Sequence, residues 1–213
     1  DEAAIWLAAG GSLSYVAGDE DLRKVTTAAD IAWAENHAGL TRGVHRVAVG
    51  MGFDVHALMP SGEKGVIRLG GIDIQHSHTL HGHSDADVVL HAVVDALLGS
   101  IAAGDIGSHF PPSNPAYKGK DSAFFLEEAV KAVIAKGGRI THIDSVIMCE
   151  APKIGPHRTS IQNRVAAIIG ISPSRVSVKA TTTEELGFTG RREGIAAQAI
   201  VTVLLPDEDD HGI

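Results

Sequence analysis

The run from Ser84 to about Ala103 constrains the chain more than any other stretch. Val88, Val89, Ala92, Val93, Ala96 and Leu97 recur there at helical spacing, with Ser84 as the N-cap candidate. Such a stripe must be covered by other structure, so polar groups along its border sit in a half-buried setting. Asp87, His91 and Asp95 stand at i, i+4 and i+8 and line one side of this helix. A lone histidine on such a face is usually a satisfied core residue. Here it has a carboxylate one turn before it and another one turn after.

The remaining pattern reads as strands over Arg46–Val55, Val66–Ile74, Ile140–Cys149, Arg175–Ala180 and Ile195–Leu205, the second bent or bulged at Gly70-Gly71. Two further helices are expected over Ser122–Lys136 and Pro156–Ile169, and a Gly/Pro-rich loop over Gly104–Gly119. This order predicts an α/β fold of the α+β type, a mixed sheet with helices on one face. With 44% apolar and 21% charged residues the chain has the material for a buried core, which excludes wholesale disorder.

Residues 1–45 read differently. A short helical pattern over Asp1–Ala9 precedes a possible strand at Leu13–Val16 and an acidic turn at Asp19–Asp21. Thr27 caps a helix to about Asn36, with Asp30 supplying the capping-box acid, and His37–Gly43 reads as a linker. This piece has too little apolar material for a core of its own. The organisation expected is thus residues 1–45, a main domain over 46–206 and an acidic tail over 207–213. The chain opens on Asp1-Glu2 without an initiator methionine, which reads as a fragment or processed product.

Lys plus Arg number 18 and Asp plus Glu 26, a formal charge of −8 that argues against bulk nucleic-acid binding. No stretch approaches the roughly 18 unbroken apolar residues of a membrane span, and no signal peptide is visible. Cys149 is the sole cysteine, so neither an intrachain disulfide nor a cysteine zinc cage can form. A reducing cytoplasm suits that usage. The 12 histidines, several between His76 and His91, point instead to metal or phosphate chemistry.

Asp54-Val55-His56 places a carboxylate and an imidazole on one face of a strand. Alone, the pattern favours a capping Asp beside a surface His. Joined by His91, it makes a three-ligand zinc set with an open fourth position. His81-Gly-His83-Ser84-Asp85 leads into the helix, whose first N–H groups would favour a phosphate near His83 and Ser84. Lys179-Ala-Thr181-Thr182-Thr183-Glu184 runs a strand out into three hydroxyls and a carboxylate, fit for phosphate oxygens and for a hard cation such as Mg²⁺ on Glu184. Arg191-Arg192 in the following Gly-punctuated turn offers two guanidinium groups for phosphate, or simply a solvated turn. Asp105, within Gly104-Asp-Ile-Gly107, could accept ribose hydroxyls, and Lys153 could meet a phosphate. No P-loop or nucleophile elbow is present. The residues themselves lead to a metal-dependent enzyme acting on a phosphorylated small molecule.

Gly52-Phe-Asp-Val-His56, His83-Ser-Asp-Ala-Asp87, Leu90-His91 through Gly99, Gly104–Gly107, Ala151-Pro-Lys153 and Lys179–Gly190 together resemble the 2-C-methyl-D-erythritol 2,4-cyclodiphosphate synthase family. The likeness covers about residues 46–205 and departs at Met51, often His, and Pro112, often acidic. Gly18-Asp-Glu-Asp-Leu-Arg-Lys-Val-Thr-Thr27 with Asp30 resembles the C-terminal end of the 4-diphosphocytidyl-2-C-methyl-D-erythritol cytidylyltransferase family, whose nucleotide loop is absent here. The pair implies the C-terminal piece of a bifunctional bacterial fusion enzyme of the cytoplasm.

The resemblance implies closure of 4-diphosphocytidyl-2-C-methyl-D-erythritol 2-phosphate to the cyclic diphosphate with loss of CMP. It implies Zn²⁺ on Asp54, His56 and His91, and Mg²⁺ or Mn²⁺ on Glu184. It places His83, Thr182 and Glu184 at the reacting phosphates. Asp54, His56, Ser84, Asp105, Gly107, Pro152, Lys153, Thr181, Thr182, Thr183, Phe188 and Arg191 become the substrate-binding positions. It also implies a homotrimer with sheets facing the central axis, sites between subunits, and Phe53, Arg191 and Glu193 lining a central cavity. Two other readings use the same residues: a zinc phosphohydrolase, and a non-catalytic trimeric assembly module.

Overall fold

The computed structural model describes residues 2–14, 24–37, 45–62 and 65–207, in two compact units that divide after Gly43. The first unit holds α1 (Glu2–Ala8) and α2 (Ala28–His37). The capping box at the start of α2 is present: Asp30 N donates to Thr27 Oγ1 at 3.1 Å, and Thr27 N donates to Asp30 Oδ2 at 2.9 Å. Leu13 and Ser14 are in no strand, while Tyr15–Val16, Asp19–Asp21 and residues 38–43 of the expected linker lie outside the described residues, as does the tail after Asp207.

The second unit is built from β1 (His45–Pro60), β2 (Val66–Leu69), β3 (Ile72–Gln75), β4 (His78–His81), α3 (Val88–Ser100), α4 (Ile106–His109), α5 (Ser122–Ala135), β5 (Arg139–Met148), α6 (Arg158–Ile169), β6 (Val176–Thr181), α7 (Gly187–Gly190) and β7 (Gly194–Pro206). Five strands form one mixed sheet in the order β4-β1-β7-β5-β6, with only β5 and β6 parallel. Helix α6 makes the crossover that a parallel pair requires. Helices α3, α5 and α6 pack on one face of the sheet, as the sequence predicted.

Several local expectations are corrected. Val66–Ile74 is a hairpin, not one bulged strand: Gly70 and Gly71 take φ of 61° and 76°, the double positive φ of a tight two-residue turn, and Leu69 pairs with Ile72. Strand β4 went unread because His78–His81 has a single buried residue, Leu80. The Gly104–Gly119 loop contains α4 and a 3₁₀ turn at Pro115–Tyr117. The central helix starts at Val88 and is capped by Asp87, whose carboxylate accepts from Val89 N and Leu90 N, so Ser84 is not the cap. The same carboxylate accepts from Gly70 N at 2.8 Å and Gly71 N at 2.6 Å, tying the hairpin turn to the helix start. Burial raises the pKa of Asp87, against these backbone donors.

The two long strands β1 and β7 run antiparallel over the whole of β7, from His45 opposite Pro206 to Ala57 opposite Gly194. Even-numbered residues of β1 from Ala48 to Leu58 face the helices, and the odd-numbered Val47, Val49, Met51 and Phe53 point away. Helix α3 lies directly on β1. A Cβ built at Gly50 would meet Ala96 O at 1.9 Å, and one at Gly52 would meet Ala92 O at 2.0 Å. Only glycine lets backbone approach backbone this closely. Gly52→Ala should therefore push α3 off the sheet and cost about 1–3 kcal/mol, read as a lower urea midpoint. An unchanged midpoint would contradict this packing.

Candidate metal centre

The close contact of α3 with β1 brings the next inward positions of the strand under the helix. Asp54 and His56 follow Gly52 on the same face, and His91 precedes Ala92 on α3. His91 Nδ1 lies 2.9 Å from Asp54 Oδ2 and 3.0 Å from His56 Nε2, and His56 Nε2 lies 3.1 Å from Asp54 Oδ2. The three form the only such ligand group of three or more among the described residues. Donor atoms of a tetrahedral zinc ion with bonds of about 2.0–2.1 Å stand about 3.3 Å apart. Two imidazole nitrogens and one carboxylate oxygen at nearly that spacing fit zinc. Burial alone would raise the Asp54 carboxyl, but hydrogen bonds and charge from His56 and His91 overcome it and hold the group well below the usual carboxylate range.

The far side of His91 is also specified. Its Nε2 is 2.9 Å from Ser122 Oγ and 3.1 Å from Ser84 Oγ. Ser122 Oγ donates a short hydrogen bond to Asp85, and Ser122 N donates to Asp85 Oδ2 at 3.1 Å. Arg68 Nε lies 3.1 Å from that same Oδ2. This chain aims the ring and fixes which nitrogen faces the ligand group. Sequence reading placed the support elsewhere, on Asp87 and Asp95. Asp87 is spent on the helix cap, and Asp95 accepts from Ile106 N at 2.7 Å, holding α4. Ser122 was read only as a helix start, and its role depends on α5 meeting α3.

A cleft opens beside the triad, lined by His56, His83, Ser84, His91, Gly107 and the rings of Phe110, Tyr117 and Phe125. The sequence-derived residues His83, Ser84 and Gly107 thus line one cleft with His56 and His91 of the triad within one chain. Asp105 is exposed and caps α4, and the Ser108 N–H pulls its pKa down. Lys118 and the aromatic rings are lining residues that sequence analysis missed. No motif marks them, because the loop after α4 folds back to place Phe110, Tyr117 and Lys118 beside Phe125 of α5.

The other predicted residues gather elsewhere. Pro152, Lys153, Thr181 and Thr182 line a second cleft of about 310 Å³ with Cys149. Burial, then the charge of Glu150, pushes the Cys149 thiol up to about 11, which suits a wall residue and not a nucleophile. Thr182 Oγ1 donates to Glu184 Oε1 at 2.9 Å, while the Thr183 hydroxyl is held by Leu186 O and Thr189 Oγ1. Glu184 sits exposed with φ of 52°. Phe188 lies in α7, and Arg191 grips Glu193 at 2.9 and 3.0 Å. Within one chain, neither Phe188 nor the Thr181–Glu184 segment lines the cleft at the triad.

Residues 47–204 match the YgbB family model. The chain is 55% identical over 207 residues to the bifunctional enzyme IspD/IspF of Sphingopyxis alaskensis, and 55% identical over 206 residues to that of Rhodospirillum rubrum. These alignments cover 97% of this chain and 52% of each relative, so the chain spans about half their length. The bifunctional IspDF of Campylobacter jejuni superposes with a TM-score of 0.73 at 31% identity, over 97% of this chain and 54% of that one. A CDP complex of Plasmodium falciparum IspF does so at 0.66 and 31%, over 76% of this chain and 97% of that one.

Ser122→Ala should lower zinc affinity about 10–100-fold while the unfolding midpoint moves little, because Asp121 still caps α5. Competition with a chromophoric chelator measures the first and thermal melting the second. Wild-type affinity in this variant would refute the support role.

Proposed function

The chain belongs to the YgbB family, and from that membership and its Asp54–His56–His91 triad we propose that it is a cyclodiphosphate synthase. The substrate proposed is 4-diphosphocytidyl-2-C-methyl-D-erythritol 2-phosphate. Its 2-phosphate oxygen attacks the β-phosphorus, the bond from that phosphorus to the bridging oxygen breaks, and CMP leaves with the electron pair. The observation that carries the reading is the convergence of three donor atoms at 2.9–3.1 Å beside a cleft that also holds His83 and Ser84.

Zinc on Asp54, His56 and His91 would supply a Lewis acid for a phosphate oxygen. The residues of the chain bind and orient. The nucleophile is already an anion, so no general base is needed, and catalysis is positioning and charge neutralisation. His83 and Ser84 offer hydrogen bonds to phosphate oxygens at the mouth of the cleft. Asp105 and Gly107 meet the erythritol or ribose hydroxyls. Pro152 and Lys153 form the nucleobase side, in keeping with the CDP bound by the Plasmodium falciparum relative. Thr181–Thr183 take phosphate oxygens, Thr182 nearest the reacting group. Glu184 would hold Mg²⁺ or Mn²⁺, and Phe188 and Arg191 flank the substrate.

Because these two groups of residues line separate clefts in one chain, the reading joins them across a homotrimer. The uncovered sheet face supports this: Val47, Val49, Met51 and Phe53 are 52–63% exposed on one strand, with Ile200 of β7 on the same face. Such an apolar face is a protein interaction surface. The first unit is read as the end of a cytidylyltransferase domain, in keeping with the bifunctional relatives. No described helix is long and apolar enough to cross a membrane.

Phosphorus-31 NMR with the cytidyl substrate, Mg²⁺ and zinc-loaded protein should show the cyclic diphosphate and CMP, lost on chelation and in His91→Ala. CMP with a linear phosphate product would favour a hydrolase. No turnover by a folded, zinc-loaded protein would leave an assembly role. Val49→Lys should convert a trimer to monomers in sedimentation velocity, and a monomeric wild type would overturn the shared site.

A further inference from the structure

Four histidines stand in the eight residues His76–His83, yet only His83 lines the cleft at the metal centre. The second guanidinium of the Arg191-Arg192 pair is also unused. His76 and His78 flank the start of β4, where Ser61 N donates to Ser77 O and Pro60 pairs with His78. The turn before β7 is tied to β1 by Leu58 N donating to Glu193 O at 2.9 Å, which brings Arg192 to the same end of the sheet. There Leu58, His76, Ser77, His78, Ala151 and Arg192 enclose a cavity of about 80 Å³.

The charge inside is one-sided. Arg191 is neutralised by Glu193, and Arg68 faces Asp73, Asp85 and Asp121. Arg192, His76 and His78 have no carboxylate within ion-pair distance among the described residues, in a chain of net charge −8. Burial and then the positive fields of His78 and Arg192 lower the pKa of His76. The neutral ring accepts His78 N at 3.1 Å on Nδ1, so its proton sits on Nε2 as a free donor. Ser77 Oγ lies 2.9 Å from His78 Nδ1, and the Nε2 of that second ring has no hydrogen-bond partner among the described residues.

From this cavity, its three unpaired basic groups and their free N–H donors, we infer that His76, His78 and Arg192 form a binding site for a phosphate-type oxyanion. A guanidinium fork and two ring nitrogens suit a tetrahedral oxyanion, and the cavity has room for one such group. The site shares no lining residue with the metal centre or with the cleft of Pro152 and Lys153. It does not rest on the cyclisation reading.

The test is a titration of zinc-loaded protein, followed by the ring ¹⁵N signals of its histidines. Inorganic phosphate reports the free ion, and glycerol 3-phosphate reports the terminal group of an ester. Signals of His56 and His91 report binding at the metal centre separately. Saturable shifts of His76 and His78 are expected, with the dissociation constant raised about tenfold in Arg192→Gly. Glycine accepts the φ of 58° at this position, so the turn is kept. His78→Gln should weaken binding in the same way, with His76 as reporter. Response to the ester alone assigns the site to an ester, and response to both assigns it to free phosphate. The inference is overturned if neither ring responds to either anion, or if both variants bind as wild type does.

Discussion

The structure depends on one contact, the seating of α3 on β1 at Gly50 and Gly52. A side chain at either glycine would collide with a helix carbonyl, so the helix axis cannot approach if these positions change. The contact sets the height of the helix above the sheet. One turn along, that height decides whether His91 can reach the carboxylate and imidazole that follow on the strand. Val88–Val94 are buried without a break, because α5 covers the side of α3 that the sheet leaves open. A helix apolar on nearly all sides is held from all sides, and a rigid support suits a site whose donors lie 2.9–3.1 Å apart.

Three layers of polar structure surround that helix start, each with its own task. Asp87 caps the helix and holds the turn of the β2–β3 hairpin. Asp85 holds Ser122, and Ser122 orients His91. Asp54 completes the ligand group. The acids of His83-Ser-Asp85-Ala-Asp87 are therefore not interchangeable. Their neighbours in space differ, although they are two residues apart.

The sheet uses its two faces differently. One carries the helices and the candidate metal centre, while the other leaves an apolar row on β1 open to the surroundings. Two separate clefts of the single chain divide the predicted substrate residues. The proposed trimer across the open face would reunite them, and it would give the apolar row a role.

Much of this was legible in the sequence. The helices, the long strands, the mixed sheet and the triad follow from apolar periodicity and from the two-residue spacing of Asp54 and His56, which are local properties. The hairpin at Gly70-Gly71 was not, since a glycine pair serves a bulge or a tight turn equally until the partner strand is known. Strand β4 was invisible for want of an alternating pattern, and the cap read at Ser84 belongs to Asp87. Sequence by itself determined which residue types share a face of each element, because backbone geometry fixes that locally. Only the tertiary structure decided which carboxylate caps the helix and which supports His91, because those roles depend on distances between elements far apart in the chain.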